Sequence, residues 1–162
     1  MKPFFIGGAF VSLMTLSGVL SLLHPWGDVR AEHGTVEDVL AGSDTSPEVR
    51  RLLVQKCGDC HSNLTHWPVY SRLAPASWLM EKDVAEARVH MNLSHWSQYD
   101  AQVQTQLLGS IAAEVRSGEM PLRKYLILHP GGQLSDSERQ LIYSWSRAER
   151  KRLHALNQKQ DH

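Results

Sequence analysis

The residues of this chain best suited to chemistry fall in five consecutive positions, Cys57-Gly58-Asp59-Cys60-His61. Two thiols separated by two residues can each add to one vinyl group of a haem, and the imidazole that follows is placed to reach the iron as proximal ligand. A redox dithiol and a zinc knuckle are the competing readings of the same spacing. The first wants a βαβ context, which no flanking pattern suggests. The second would have to draw two further ligands from histidines alone, because the chain has only two cysteines and both lie in the motif. The expectation is one covalently attached haem c, held by Cys57 and Cys60 with His61 on the iron.

The position across the iron from His61 has many claimants: Met80, Met91, Met120, His66, His90, His95 and His129. Met120 is preferred, because Gly118-Glu119-Met120-Pro121 follows the expected end of a helix and Pro121 stiffens a loop able to point a thioether at a metal. A loop methionine packed into the core is the plainer account of the same residue, and His129 is the next candidate. A Met–His pair raises the reduction potential and suits electron carriage, whereas an open position would admit gas binding or peroxide chemistry. Trp67, Tyr70 and Trp78, with Arg72 among them, could wall a porphyrin and bond its propionates. Ordinary packing with a surface arginine is the alternative for each. Arg147, Arg150, Lys151 and Arg152 could dock an acidic partner, although cations near a helix C-terminus ordinarily just complement its dipole.

The elements that must position these residues read as helices. Ser46-Pro47-Glu48 supplies an N-cap, a first-turn proline and an early acid, and Val49, Leu52, Leu53 and Cys57 then share one face, so the motif stands at that helix's end. A second helix is expected over 76–91. A third is expected over 97–117, with a regular stripe through Val103, Leu107, Leu108, Ile111 and Val115 and a stop at Gly118. The last opens at Ser135, where Glu138 three residues on completes a capping box. With no alternating pattern, hairpin signal or repeat, the fold class is all-α, a few helices joined by long ordered loops.

Composition narrows the partners. Seventeen basic and seventeen acidic residues cancel, which removes the electrostatic footprint of a nucleic-acid binder. After the basic start at Lys2, Phe4–Leu23 is an uncharged, mostly apolar run of about 20 residues, or roughly 30 Å as a helix, enough to cross a bilayer. This places the remainder outside the cytoplasm, behind either an uncleaved anchor or a signal peptide cut near Val29-Arg30-Ala31. The expected organisation is a leader or anchor over 1–27, a polar linker over 28–45, a haem-binding domain over 46–157 and a polar tail over 158–162.

Beyond the motif itself, Cys57 to Asn63, Thr65, Trp67-Pro68, Tyr70-Ser71, Ala74 to Leu79, Asp83-Val84, Asn92 to Trp96, Gly118 to Pro121, Tyr125, His129-Pro130 and Leu134-Ser135 resemble the bacterial haem-binding domain family. The resemblance covers nearly all of the expected domain. It implies a cytochrome c-like bundle of about four helices around one haem c, with Cys57, Cys60, His61 and Met120 as its site residues. Two positions depart from the family's pattern: Val69 stands where members carry a second tryptophan, and His95 where they carry an acid, which makes His95 a further candidate ligand. The expected role is a one-electron carrier on the periplasmic side of the inner membrane, exchanging electrons with redox partner proteins. The alternative is a haem-based sensor or peroxidase-like protein with an exchangeable sixth position.

Overall fold

A computed structural model describes residues 3–160 of the chain, with side chains described over 7–159. The basic start at Met1 and Lys2 and the end of the polar tail, Asp161 and His162, lie outside the described residues. The fold is all-helical, and among the described residues there is no strand. Six α-helices follow in chain order: α1 (Pro3–Leu20), α2 (Pro47–His61), α3 (Ala76–His90), α4 (Ala101–Ser117), α5 (Arg123–Leu128) and α6 (Asp136–Gln160). Three short 3-10 turns, Val69–Arg72, Leu93–Gln98 and Pro130–Gly132, interrupt the connections.

The helix ends have local causes. Ser46 caps α2 by accepting from the Val49 N–H at 3.3 Å, with Pro47 in the first turn. Asp100 caps α4 by accepting from the Val103 N–H at 2.8 Å, so the helix starts later than the expected Ser97, whose neighbourhood instead forms a 3-10 turn. Gly118 closes α4 in the left-handed region with φ of 80°. At Ser135 the capping box forms in full: the Ser135 N–H donates to Glu138 Oε2 at 2.8 Å and the Glu138 N–H to Ser135 Oγ at 3.2 Å. From there α6 runs without a break to Gln160, through the residues expected to begin a polar tail.

The core lies between α2, α4 and α6. Leu52 and Leu53, Leu108, Ile111 and Val115, and Ile142, Trp145 and Leu153 bury their side chains there around Leu93 and a fully buried Trp96. The segment 28–45 differs from the tether that its polarity suggests. Val39 and Leu40 are completely buried in this core, and the Leu40 N–H donates to Leu93 O at 2.9 Å. The same segment is held by α6, where the Trp145 indole donates to Asp44 O at 3.3 Å and Glu149 accepts from the Asp44 N–H at 3.1 Å. Val29 and the adjacent pair Val39-Leu40 leave no periodicity to read, yet each removes its side chain from water.

The N-terminal helix is also tied to the rest. Ser17 Oγ donates to Ala74 O at 2.6 Å, and the Trp78 indole N–H lies 3.2 and 3.0 Å from the Leu20 and Leu23 carbonyls. Just beyond it, His24 Nδ1 and Arg30 Nε lie 3.1 and 2.8 Å from the carboxylate of Glu81, which is fully buried on α3. The uncharged run expected over Phe4–Leu23 leaves the helix after Leu20, and no helix of the described residues is long and apolar enough to cross a membrane.

Candidate functional site

The last turn of α2 presents both thiols and the imidazole. Cys57 and Cys60 are free, half-buried thiols rather than a disulfide. Burial pushes the Cys57 thiol up to about 12, Cys60 adding to the rise, and burial with the charges of Asp59 and Asp83 pushes Cys60 up to about 11. A redox-active dithiol needs the opposite, a thiolate favoured at neutral pH by nearby positive charge or a helix N-terminus. These thiols stand at a helix C-terminus, where the dipole works against a thiolate.

His61 is oriented from outside its own helix. Its Nδ1 lies 3.1 Å from the Met91 carbonyl, just past the end of α3, so Nδ1 carries the proton as donor and Nε2 keeps its lone pair. Burial lowers its pKa, against the opposing effect of the Met91 and Ala87 carbonyls, and so favours the neutral imidazole that a metal requires. The loop that leaves the motif is anchored as firmly. Arg88 of α3 donates to Ser62 O at 3.1 Å, Thr65 Oγ1 at 3.0 Å and Val29 O at 2.8 Å. Asn92 donates to Asn63 Oδ1 at 2.8 Å, and the Asn63 N–H to Ser94 Oγ at 3.0 Å. Arg88 was not singled out in the sequence, and Met91 was only one of several claimants for the iron, through its thioether rather than its carbonyl. Only the matched run Asn92-Leu93-Ser94-His95-Trp96 hinted that this segment matters, and the structure shows that part of its task is to brace the motif loop.

A second cluster meets the motif from α5. Tyr125 Oη donates to Asp59 Oδ2 at 2.9 Å, and its ring stacks on His129 with centroids 4.2 Å apart and planes 9° from parallel. Burial and the Asp59 carboxylate both raise the Tyr125 pKa, so the phenol stays protonated as the donor. His129 Nδ1 lies 3.1 Å from Tyr125 O and Nε2 lies 3.2 Å from Tyr70 Oη, which engages both ring nitrogens. His95, the other histidine candidate, has Nε2 3.4 Å from Asn63 Nδ2. Gly132 is needed behind Tyr125, because a Cβ there would come within 2.8 Å of the ring. Lys56 closes the arrangement by donating to Gly131 O and Gln133 O at 2.8 and 3.0 Å.

The remaining expected site residues have mixed fates. Met120 is half-buried two residues past Gly118, on the short stretch leading into α5, and its N–H donates back to Glu114 O at 3.3 Å. Tyr70 joins the His129 cluster. Trp67 lies under Arg30, whose guanidinium carbon is 4.1 Å from the ring centroid, and the Trp78 indole is committed to the N-terminal segment. Arg72 is exposed. The aromatic wall proposed from spacing therefore divides, with Trp67 and Trp78 helping to seat residues 17–30.

A family model described as a haem-binding domain matches residues 16–148. The chain belongs to this haem-binding domain family, and haem is its cofactor. No curated protein and no solved structure matches the chain. The match begins within α1 and includes the packed 28–45 segment, in agreement with a folded unit that starts well before Ser46.

Proposed function

We propose that the chain holds one haem c through thioether bonds from Cys57 and Cys60, that His61 and Met120 would ligate its iron, and that it carries single electrons at the periplasmic face of a bacterial inner membrane. The observation that carries this reading is the geometry of one turn: two free thiols beside an imidazole whose Nδ1 is bound to Met91 O, leaving Nε2 for a metal. For attachment, each S–H adds across one vinyl double bond, sulfur to one carbon and hydrogen to the other, so no oxidant is consumed. The raised thiol pKa values oppose the redox-dithiol alternative.

Haem bound here supplies a one-electron iron couple. The residues of the chain do the rest: Cys57 and Cys60 fix position, Met91 O orients His61, and Tyr125 and Arg88 hold Asp59 and the motif loop rigid. Met120 is favoured as the second iron ligand because its loop leads directly into α5, which Tyr125 pins to the motif, whereas both ring nitrogens of His129 and the Nε2 of His95 already have partners. The bonds from the segment after α3 and from α5 to the end of α2 support a cytochrome c-like arrangement. The bonds from Ser17, Leu20, Leu23, His24 and Arg30 to the domain support retention of the N-terminal segment rather than its removal near Ala31.

Carbon monoxide binding to the reduced holoprotein tests the sixth ligand. The wild type is expected to bind it poorly and Met120→Ala readily; ready binding by the wild type would establish the open-site sensor reading instead.

A further inference from the structure

Away from the motif, α4 and α6 leave between them a groove of about 770 Å³, lined by no residue of Cys57–His61. Its floor is small and apolar, with Gly109 and Ala112 of α4 and Ala148 of α6. Its rim is cationic, formed by Arg116, Arg147, Arg150 and Lys151, and none of these four is in an ion pair with a carboxylate among the described residues. The one buried acid on this part of α6, Glu149, is already engaged by Arg152 at 2.6 Å.

Two of these cations are brought together deliberately. Arg116 from α4 and Arg147 from α6 both donate to the same phenol oxygen, Tyr143 Oη, at 2.9 and 3.0 Å. Their guanidinium carbons lie 5.1 and 5.7 Å from the Tyr143 ring centroid. The Arg150 guanidinium lies over the next stretch of floor, its Nη1 3.6 Å from where a Cβ on Gly109 would stand. Like charges gathered on a neutral oxygen repel, and the arrangement is relieved by an anion between them.

We propose that this groove binds a phosphate group, with Arg116 and Arg147 as its cationic clamp and Arg150 and Lys151 as flanking charges. Guanidinium forks match the spacing of phosphate oxygens, and the groove is open to solvent, so a small anion can reach both arginines. The phosphate comes either from a free phosphorylated solute or from a phospholipid headgroup, two sources with one recognition chemistry.

The test is calorimetric titration of the full haem-loaded chain at low salt with inorganic pyrophosphate, and separately with monomeric short-chain phosphatidylglycerol. One ligand per chain is expected for at least one probe. Affinity should fall with added salt and weaken about tenfold in Arg116→Ala and again in Arg147→Ala. Both positions are exposed, so these variants are expected to keep the wild-type melting temperature within a few degrees. Tighter binding of pyrophosphate identifies a free solute, and tighter binding of the lipid identifies a headgroup. The proposal is overturned if neither probe binds, if the double variant binds as the wild type does, or if only polyglutamate binds, which would make the face a protein dock.

Discussion

The orientation of His61 is set thirty residues away, by a main-chain carbonyl at Met91 that no substitution of Met91 itself removes. What can be altered is the frame around it. Tyr125 Oη on Asp59 is a hydrogen bond from a neutral donor to a carboxylate in a part-buried setting, worth about 1.5 kcal/mol or somewhat more. Tyr125→Phe should therefore lower the unfolding free energy by that order in denaturant titration, without removing attached haem. Gly132→Ala should cost more than an ordinary surface substitution, because its Cβ would press on the Tyr125 ring at 2.8 Å and the ring cannot move without leaving Asp59 or His129. Equal stability of Gly132→Ala and the wild type would show that the tyrosine is not held as described.

At the scale of elements, the capping box at the start of α6 offers a pH-dependent test. The backbone and side chain of Ser135 hold the Glu138 carboxyl below its ordinary value of 4.5. A carboxyl whose pKa is lower in the folded state contributes stability above its unfolded value and loses that contribution as pH falls through the folded one. Glu138→Gln should thus narrow the stability gap between pH 6 and pH 3 measured by thermal melts, while Ser135→Ala should cost about 1 kcal/mol at neutral pH. A capping contribution unchanged across that interval would rule out the charged form of the box.

The helices that were legible in the sequence are those whose signals are local. Ser46-Pro47, Gly118 and Ser135 with Glu138 mark ends through bonds to their own backbone neighbours, and the stripe from Val103 to Val115 marks a face by repetition. The motif was legible for the same reason, its three groups being adjacent in the chain. What escaped depends on distant partners. Met91 O, Arg88 and Asn92 act on the motif from other elements, α5 is too short to show a period, and Val39 and Leu40 enter the core as one adjacent pair without a repeat around them. Trp78 looked like a cofactor neighbour because its spacing from the motif was visible while the Leu20 and Leu23 carbonyls it bonds were not.

For the whole molecule, the consequence is that residues 17–40 are part of the folded unit. Glu81 is fully buried, and its charge is met by Arg30 and His24 alone among the described residues. Arg30→Ala would leave a buried carboxylate without its permanent counter-charge and is expected to destabilise the chain by about 3 kcal/mol. Glu81→Gln with Arg30→Ala should recover part of that loss, which a merely lost surface contact would not. A chain shortened to begin after Ala31 should melt well below the full-length protein, whereas matching melts would restore the linker interpretation of this segment.

The central claim, covalent haem at the end of α2, is tested most directly by the intact mass and haem staining of the chain after full denaturation. The wild type, produced in a bacterium that attaches haem c, should retain one haem per chain, and Cys57→Ala with Cys60→Ala should retain none. Loss of haem from the denatured wild type, or its retention by the double variant, would contradict attachment at Cys57 and Cys60.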